Sequence, residues 1–180
     1  MIRDNRAFQA PRALFTVDPL LMESSLDEIK LRPIRLADLP WMYECQLDRE
    51  SNAMAVVIPR ESTRFFAHWE QSLEDPGVCG RLITVNGLLA GWVSRFPCED
   101  QATIGYWIAR DFWGQGVATA ALRLLLLEDS TRPLFARVAT SNTASLRVLQ
   151  KNGFTVVRQE WMPECERCPA SDTFLLTLDS

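Results

Sequence analysis

Thr103-Ile104-Gly105-Tyr106-Trp107-Ile108-Ala109 runs directly into Arg110-Asp111-Phe112-Trp113-Gly114-Gln115-Gly116-Val117-Ala118-Thr119. The first seven residues are rich in β-branched and aromatic side chains and read as a strand. A long apolar helix follows from Gly116 to about Asp129, and Leu134–Thr140 reads as a second strand. Strand, helix and strand in that order make a βαβ unit, whose two strands run parallel through a right-handed crossover. The turn out of the first strand is therefore the place to look for a ligand.

That turn carries Gly114 and Gly116, two glycines one residue apart, which let backbone approach a ligand with no Cβ in the way. They fall where a helix starts, so several N–H groups point outward unpaired and the helix dipole favours an anion. A pyrophosphate cradle fits these features, and so does a plain tight turn from strand to helix. A P-loop does not fit, because the Gly-Lys-Ser/Thr ending is missing. A dinucleotide fingerprint would need glycine or alanine at 119, where Thr119 stands.

Working outward, Arg81–Val85 and Leu88–Ser94 flank Asn86-Gly87, the strongest two-residue hairpin signal. Further upstream, Lys30–Leu36 reads as an edge strand, since Pro33 cannot donate to a ladder. Asp38 then caps a helix over Leu39–Leu47, and Ser62–Leu73 lines Phe65, Phe66, Trp69 and Leu73 along one side of another. Pro97–Gln101 reads as a polar loop. Downstream come a helix over Thr143–Asn152 closed by Gly153, then strands over Phe154–Trp161 and Thr173–Leu178. Residues 1–28 show no period and read as an amino-terminal arm that packs on the domain or on a partner subunit, which makes a homodimer an expectation. Residues 29–180 form the domain, a single α/β unit on a mixed sheet.

Composition narrows the function. The 180 residues are 47% hydrophobic and 23% charged, with 19 basic and 23 acidic side chains for a net charge of −4. A chain of this size buries a core without disulfides or metal. Its acidic balance argues against a nucleic-acid partner and leans toward a cationic acceptor. Charges at Arg3, Asp4 and Arg6 occupy the place where a signal peptide needs an apolar run, and the apolar stretch Ala118–Leu127 is too short to span a bilayer. No membrane partner and a cytoplasmic location are expected. The five cysteines, at 45, 79, 98, 165 and 168, are odd in number and scattered, unlike a disulfide framework. Cys165 and Cys168 have the spacing of half a zinc site, but no second such pair exists and the sole histidine, His68, is distant in sequence. The expectation is no metal, with the pair in a loop and His68 as a half-buried helix residue rather than a base.

The segment Ile104–Thr119 resembles the acetyl-CoA motif of the GNAT acetyltransferases, and within them is similar to the branch of ribosomal-protein N-terminal acetyltransferases. A second motif follows in the right order: Ser141-Asn142-Thr143-Ala144-Ser145-Leu146-Arg147-Val148-Leu149-Gln150-Lys151-Asn152-Gly153-Phe154. The resemblance extends over residues 30–180 in element order. It implies a GNAT-like domain with a mixed, mostly antiparallel sheet of six to seven strands flanked by helices, its one parallel βαβ unit at the cofactor site. It also implies acetyl-CoA as co-substrate and direct acetyl transfer to a primary amine, either a protein N-terminus or a small molecule. The alternative is a catalytically silent CoA-binding domain.

The family pattern Gln/Arg-x-x-Gly-x-Gly/Ala falls on Trp113–Ala118, with Trp113 replacing the usual polar residue. The resemblance implies that the amides of Gln115, Gly116, Val117, Ala118 and Thr119, following Gly114, hold the pyrophosphate. It also implies that the strand end from Ile108 to Arg110 pairs with pantetheine, and that an N–H near Ile108 stabilises the oxyanion. Asn142 would hydrogen-bond pantetheine, or serve only as an N-cap. Ser145 would protonate the leaving thiolate, or is a solvated helix serine. The general base stays open, because Thr103 stands where relatives often carry Glu, and Glu99 or Asp100 would have to act through water. Tyr106 and Trp107 alternate, so one of them faces the cofactor side. Arg147 and Lys151 approach the 3′-phosphate of CoA or are simply a solvated face.

Overall fold

The computed structural model describes residues 28–180. The amino-terminal arm lies outside the described residues except for Glu28, and so does the homodimer expected from it.

Seven strands and five α-helices follow one another as β1 (Ile29–Pro33), α1 (Leu39–Gln46), α2 (Arg49–Ala55), α3 (Ser62–Glu74), β2 (Cys79–Val85), β3 (Leu88–Cys98), β4 (Gln101–Ile108), α4 (Val117–Glu128), β5 (Leu134–Ala139), α5 (Thr143–Lys151), β6 (Thr155–Met162) and β7 (Ser171–Leu178). The strands make one sheet in the order β1-β2-β3-β4-β5-β7-β6, antiparallel except between β4 and β5. This is the α/β architecture expected, with Pro33 on an edge strand as expected.

Three local differences have physical reasons. Pro97–Gln101 is not a loop: Glu99 (φ 50°) and Asp100 (φ 62°) form a two-residue turn with both residues left-handed, and β3 and β4 run up to it on either side. That is the geometry of Asn86-Gly87 (φ 50° and 82°), achieved with acidic residues instead. Pro97 is tolerated because β2 stops pairing at Arg95, so its missing N–H leaves no ladder bond unmade there. Second, α2 has no apolar period to announce it. Its signal is Asp48, whose Oδ1 accepts from the Ser51 N–H at 2.8 Å. Third, α4 is apolar all round but buries only one stripe (Val117, Ala121, Leu122, Leu125), leaving Leu127 79% exposed.

Side chains alternate across the sheet and feed two cores. Ile83, Val93 and Ile104 pack with α4 and α5 on one face. Leu82 and Trp92, their strand neighbours, pack with Leu39, Met42, Phe65 and Trp69 from α1 and α3 on the other. The sheet is continuous everywhere except at its centre. β3 and β4 share eight register pairs and β5 and β7 six, whereas β4 and β5 meet only at Thr103 and Phe135. Beyond that point the two parallel strands splay, and their carboxyl ends open on one edge of the sheet.

Candidate active site

The cradle lies at that edge. Gly114 (φ 73°) and Gly116 (φ 78°) are left-handed, a conformation that costs an L side chain about 1–2 kcal/mol. A Cβ built on either would meet no atom within 4 Å, so packing is not what demands glycine here. The open space in front of the turn is what a Cβ would fill, which fits a phosphate approaching backbone. Gly116 is the N-cap of α4 and supplies no side-chain cap. Ala120 is the first residue of α4 whose N–H has a helical acceptor, Gly116 O at 3.0 Å. The amides of Val117, Ala118 and Thr119 are thus the orphan donors of a helix start. Gln115 Nε2 donates to Asp111 O at 2.7 Å and fixes the turn's shape.

Trp113, where the family pattern has a polar residue, gains a role that was not foreseen. Its indole N–H donates to Ile108 O at 2.8 Å and ties the cradle to the last residue of β4. One lone pair of that carbonyl is therefore used within the protein. The next amide is also used, Ala109 N donating to Ala90 O at 2.8 Å. Arg110 turns its side chain toward the start of α2, with Glu50 at 2.5 Å and Asp48 at 3.2 Å.

Across the splay, Asn142 caps α5, its Oδ1 accepting from Ser145 N at 3.0 Å. The N-cap reading thus holds for Oδ1, and the Asn142 amide group keeps its donors. Tyr106 reaches over from β4: its hydroxyl lies 2.7 Å from Ser145 Oγ and donates to Ser145 O at 3.1 Å. Tyr106 is therefore the residue of the Tyr-Trp pair that faces α5. Burial pushes the phenol up to about 12, with the Ser145 hydrogen bond opposing, so it stays protonated at neutral pH. Trp107 faces the opposite side and stacks on Trp92, centroids 5.8 Å apart and planes 6° from parallel. Asn152 was also not foreseen. Its Nδ2 donates to Thr119 O at 3.3 Å and Val148 O at 2.9 Å, joining the end of α5 to the first turn of α4. Asn152-Gly153 in the sequence signals only the helix end, which Gly153 (φ 88°) indeed closes.

Several candidates stand elsewhere. Thr103 is 8% exposed and sits where β4 still pairs with β5, five residues before Ile108. Glu99 and Asp100 lie just before the far end of β4, whose span from Gln101 to Ile108 is roughly 23 Å at ~3.3 Å per residue, and Glu99 pairs with Arg137 at 2.9 Å. A base acting from that turn is excluded by distance. At the open edge, Asp48 and Asp111 line a pocket of about 220 Å³ with Cys45, Ser51, Ala109 and Arg110, and Glu50 pairs with Arg110 beside it. Arg147 and Lys151 are exposed on α5, and His68 stands on α3 against Trp69, where burial and then the charges of Arg60 and Arg167 push its imidazole down to about 4. Cys165 and Cys168 lie in the β6–β7 loop, exchanging backbone hydrogen bonds of 2.9 and 3.3 Å. Among the described residues no three His, Cys, Asp or Glu side chains converge on a metal-sized site, all five thiols are free, and no helix is long and apolar enough to cross a membrane.

The sequence profile of the acetyltransferase (GNAT) domain matches residues 28–155. Solved structures share the fold. A spermidine N-acetyltransferase from Vibrio cholerae, in complex with CoA and spermine, aligns with a TM-score of 0.72 at 16% identity, covering 84% of this chain and 95% of its own. A microcin self-immunity acetyltransferase (MccE) in complex with acetyl-CoA and AMP aligns at 0.71 and 23%, covering 86% and 93%. A ribosomal-protein alpha-N-acetyltransferase (RimL) in complex with coenzyme A aligns at 0.70 and 19%, covering 84% and 93%. No curated protein sequence matches the chain. The chain belongs to the GNAT acetyltransferase family.

Proposed function

We propose that this chain transfers the acetyl group of acetyl-CoA directly to a primary amine at the mouth of the β4–β5 splay. The observation that carries the reading is the pair of left-handed glycines with open space before them, set on the amide-bearing start of α4 beside the splayed strands. The amides of Gln115 to Thr119 hold the pyrophosphate, and the strand end from Ile108 to Arg110 with the Asn142 amide orients the pantetheine arm. Acetyl-CoA, when bound, supplies the activated thioester.

The remaining work falls to side chains and one strand end. An N–H near Ile108 faces the negative charge that develops on the thioester oxygen. Ser145 Oγ gives a proton to the departing sulfur and regains one from solvent water, while Tyr106 Oη, in contact with that Oγ at 2.7 Å, stays protonated and fixes its position. The acceptor amine enters from the α1–α3 side and loses its proton to water in the pocket lined by Asp48 and Asp111. A cytoplasmic location belongs to the same reading, since all five thiols are free and acetyl-CoA is an intracellular metabolite.

Calorimetric titration with acetyl-CoA tests the core of this, repeated with ATP and with Gly116→Trp. Binding of acetyl-CoA that the substitution abolishes, with ATP unable to replace it, is expected. A folded protein that does not bind acetyl-CoA would end the proposal.

A further inference from the structure

On the face of the sheet that carries α1 and α3, the segment between α2 and α3 meets the β6–β7 loop. Ile58 donates its N–H to Arg167 O at 2.7 Å, and Arg167 Nε donates to Ile58 O at 3.4 Å. Arg60 is anchored from α1. The side chain of Gln46, a residue only 4% exposed, donates to Arg60 O at 2.8 Å and accepts the Arg60 N–H at 3.2 Å. Between these segments is a cleft of about 830 Å³, with Arg60, Arg64, Arg167, Glu61 and Glu166 among its lining.

The charges in this cleft do not balance. Glu166 is paired with Arg64, and Glu61 accepts from Thr63 Oγ1 at 2.6 Å. Among the described residues neither Arg60 nor Arg167 has a carboxylate within ion-pair distance, although both are half-buried. Burial, reinforced by the charge of Arg167, lowers Arg60 to about 10, and burial lowers Arg167 too. Two guanidiniums withdrawn from water side by side are unfavourable until an anion joins them. Their planar donor forks suit a carboxylate or a phosphate.

Its position ties the cleft to the reaction. Gln46 lies between Cys45 and Asp48, which line the pocket at the end of β4. The β6–β7 loop leads into Asp172, whose carbonyl accepts from Thr140 N at 2.9 Å just beyond β5. Through Gln46 on α1 and through the β6–β7 loop, the cleft is joined to elements that border the ends of the two splayed strands, on the face away from α4 and α5. We propose that Arg60 and Arg167 bind an anionic group, carboxylate or phosphate, on the acceptor, so that the acceptor is an amine carrying negative charge at a distance from its reacting nitrogen. This rests on the acetyl-transfer reading above. It reverses the cationic acceptor that the net charge suggests, because local charge outweighs the average over the chain.

Matched acceptors test it: the peptides Ser-Asp-Asp-Asp and Ser-Asn-Asn-Asn, and aminoethyl phosphate against ethanolamine. Each is assayed by CoA release with the full chain, with Arg60→Gln/Arg167→Gln, and with Arg60→Lys/Arg167→Lys. Thermal midpoints and acetyl-CoA titrations accompany every variant. The wild type is expected to prefer the anionic member of at least one pair, and that pair shows whether carboxylate or phosphate is the handle. The glutamine variant should raise its KM roughly 10- to 100-fold with kcat and the neutral acceptor unchanged, and the lysine variant should retain part of the preference. Equal use of anionic and neutral acceptors, or a preference that survives in the glutamine variant, overturns the proposal. The anionic ligands are also titrated into CoA-saturated protein. No binding of either there overturns it as well. Arginine-dependent binding without acetyl transfer to any amine would instead overturn the catalytic reading and leave the anion site standing.

Discussion

Replacing Gly116 with alanine separates the backbone's need for glycine from the ligand's. At φ 78° an alanine costs about 1–2 kcal/mol, and nothing within 4 Å adds a clash. A chain of 180 residues loses about 2–4 °C of melting temperature per kcal/mol, so the midpoint should fall by about 2–8 °C. Gly87 supplies the calibration. It sits at φ 82° in the β2–β3 turn, also with nothing within 4 Å of a built Cβ, and outside the α4 start on which the pyrophosphate is placed. Gly87→Ala should therefore destabilise the chain by a similar amount and leave acetyl-CoA binding unchanged. Gly116→Ala should do more, because its methyl group occupies the space that the pyrophosphate must enter to reach the amides. Lengthening a single amide-to-phosphate hydrogen bond is worth about 1.5–3 kcal/mol, or roughly 10- to 100-fold in Kd. Differential scanning and calorimetric titration on the two variants read both quantities. Equal melting losses with acetyl-CoA affinity preserved within twofold in Gly116→Ala would refute the placement of the pyrophosphate on this turn.

Tyr106→Phe removes a hydroxyl from the contact with Ser145 and should lower kcat roughly 10- to 100-fold, the modest end of general acid catalysis because a thiolate leaves readily. The acetyl-CoA Kd should hold, and Ser145→Ala combined with it should cost little more than either change alone; additive losses would separate the two residues. Asp129 governs part of the acid stability. Burial raises its carboxyl, but hydrogen bonds from Arg95 and Thr131 more than offset this and hold it at about 2, against 3.8 for a free aspartate. A depressed folded-state value stabilises the fold above pH 3.8 and loses that contribution as pH falls toward 2. It amounts to about 2 kcal/mol, which acid unfolding of Asp129→Asn should show as already missing at neutral pH. Among the thiols, Cys165 is exposed and its ionisation is lowered by backbone N–H groups of Arg167 and Cys168, whereas burial pushes Cys45 up to about 12. Limited iodoacetamide followed by peptide mapping should therefore find Cys165 modified before Cys45.

What could be read from the sequence was whatever is encoded within a few neighbouring residues. Asn86-Gly87 dictates its turn, Gly114-Gln115-Gly116 dictates left-handed backbone at a helix start, and Asn142 with Ser145 three residues on dictates a capped helix. The turn at Glu99-Asp100 escaped because Glu rarely adopts left-handed backbone and no glycine marks the pair, and Pro97 beside them suggests an interrupted strand until the early end of β2 is known. Arrangements that depend on two distant segments meeting were beyond reach. Alternation alone says that Tyr106 and Trp107 face opposite sides, but which side belongs to α5 follows only from the order of strands and the position of the helix across the splay. The splay itself is a failure of β4 and β5 to stay paired beyond Thr103, and no property of either strand alone announces it. The same reasoning explains why net charge misdirects. The ion pairs of Arg95 with Asp129, Arg137 with Glu160 and Arg110 with Glu50 take acidic and basic groups out of play together. What a ligand meets is the remainder, and in the cleft between the α2–α3 segment and the β6–β7 loop that remainder, among the described residues, includes Arg60 and Arg167. An acidic chain can therefore present a cationic cleft, provided the fold brings arginines together from two distant segments and leaves more guanidiniums than carboxylates in the lining, as Arg60, Arg64 and Arg167 stand against Glu61 and Glu166.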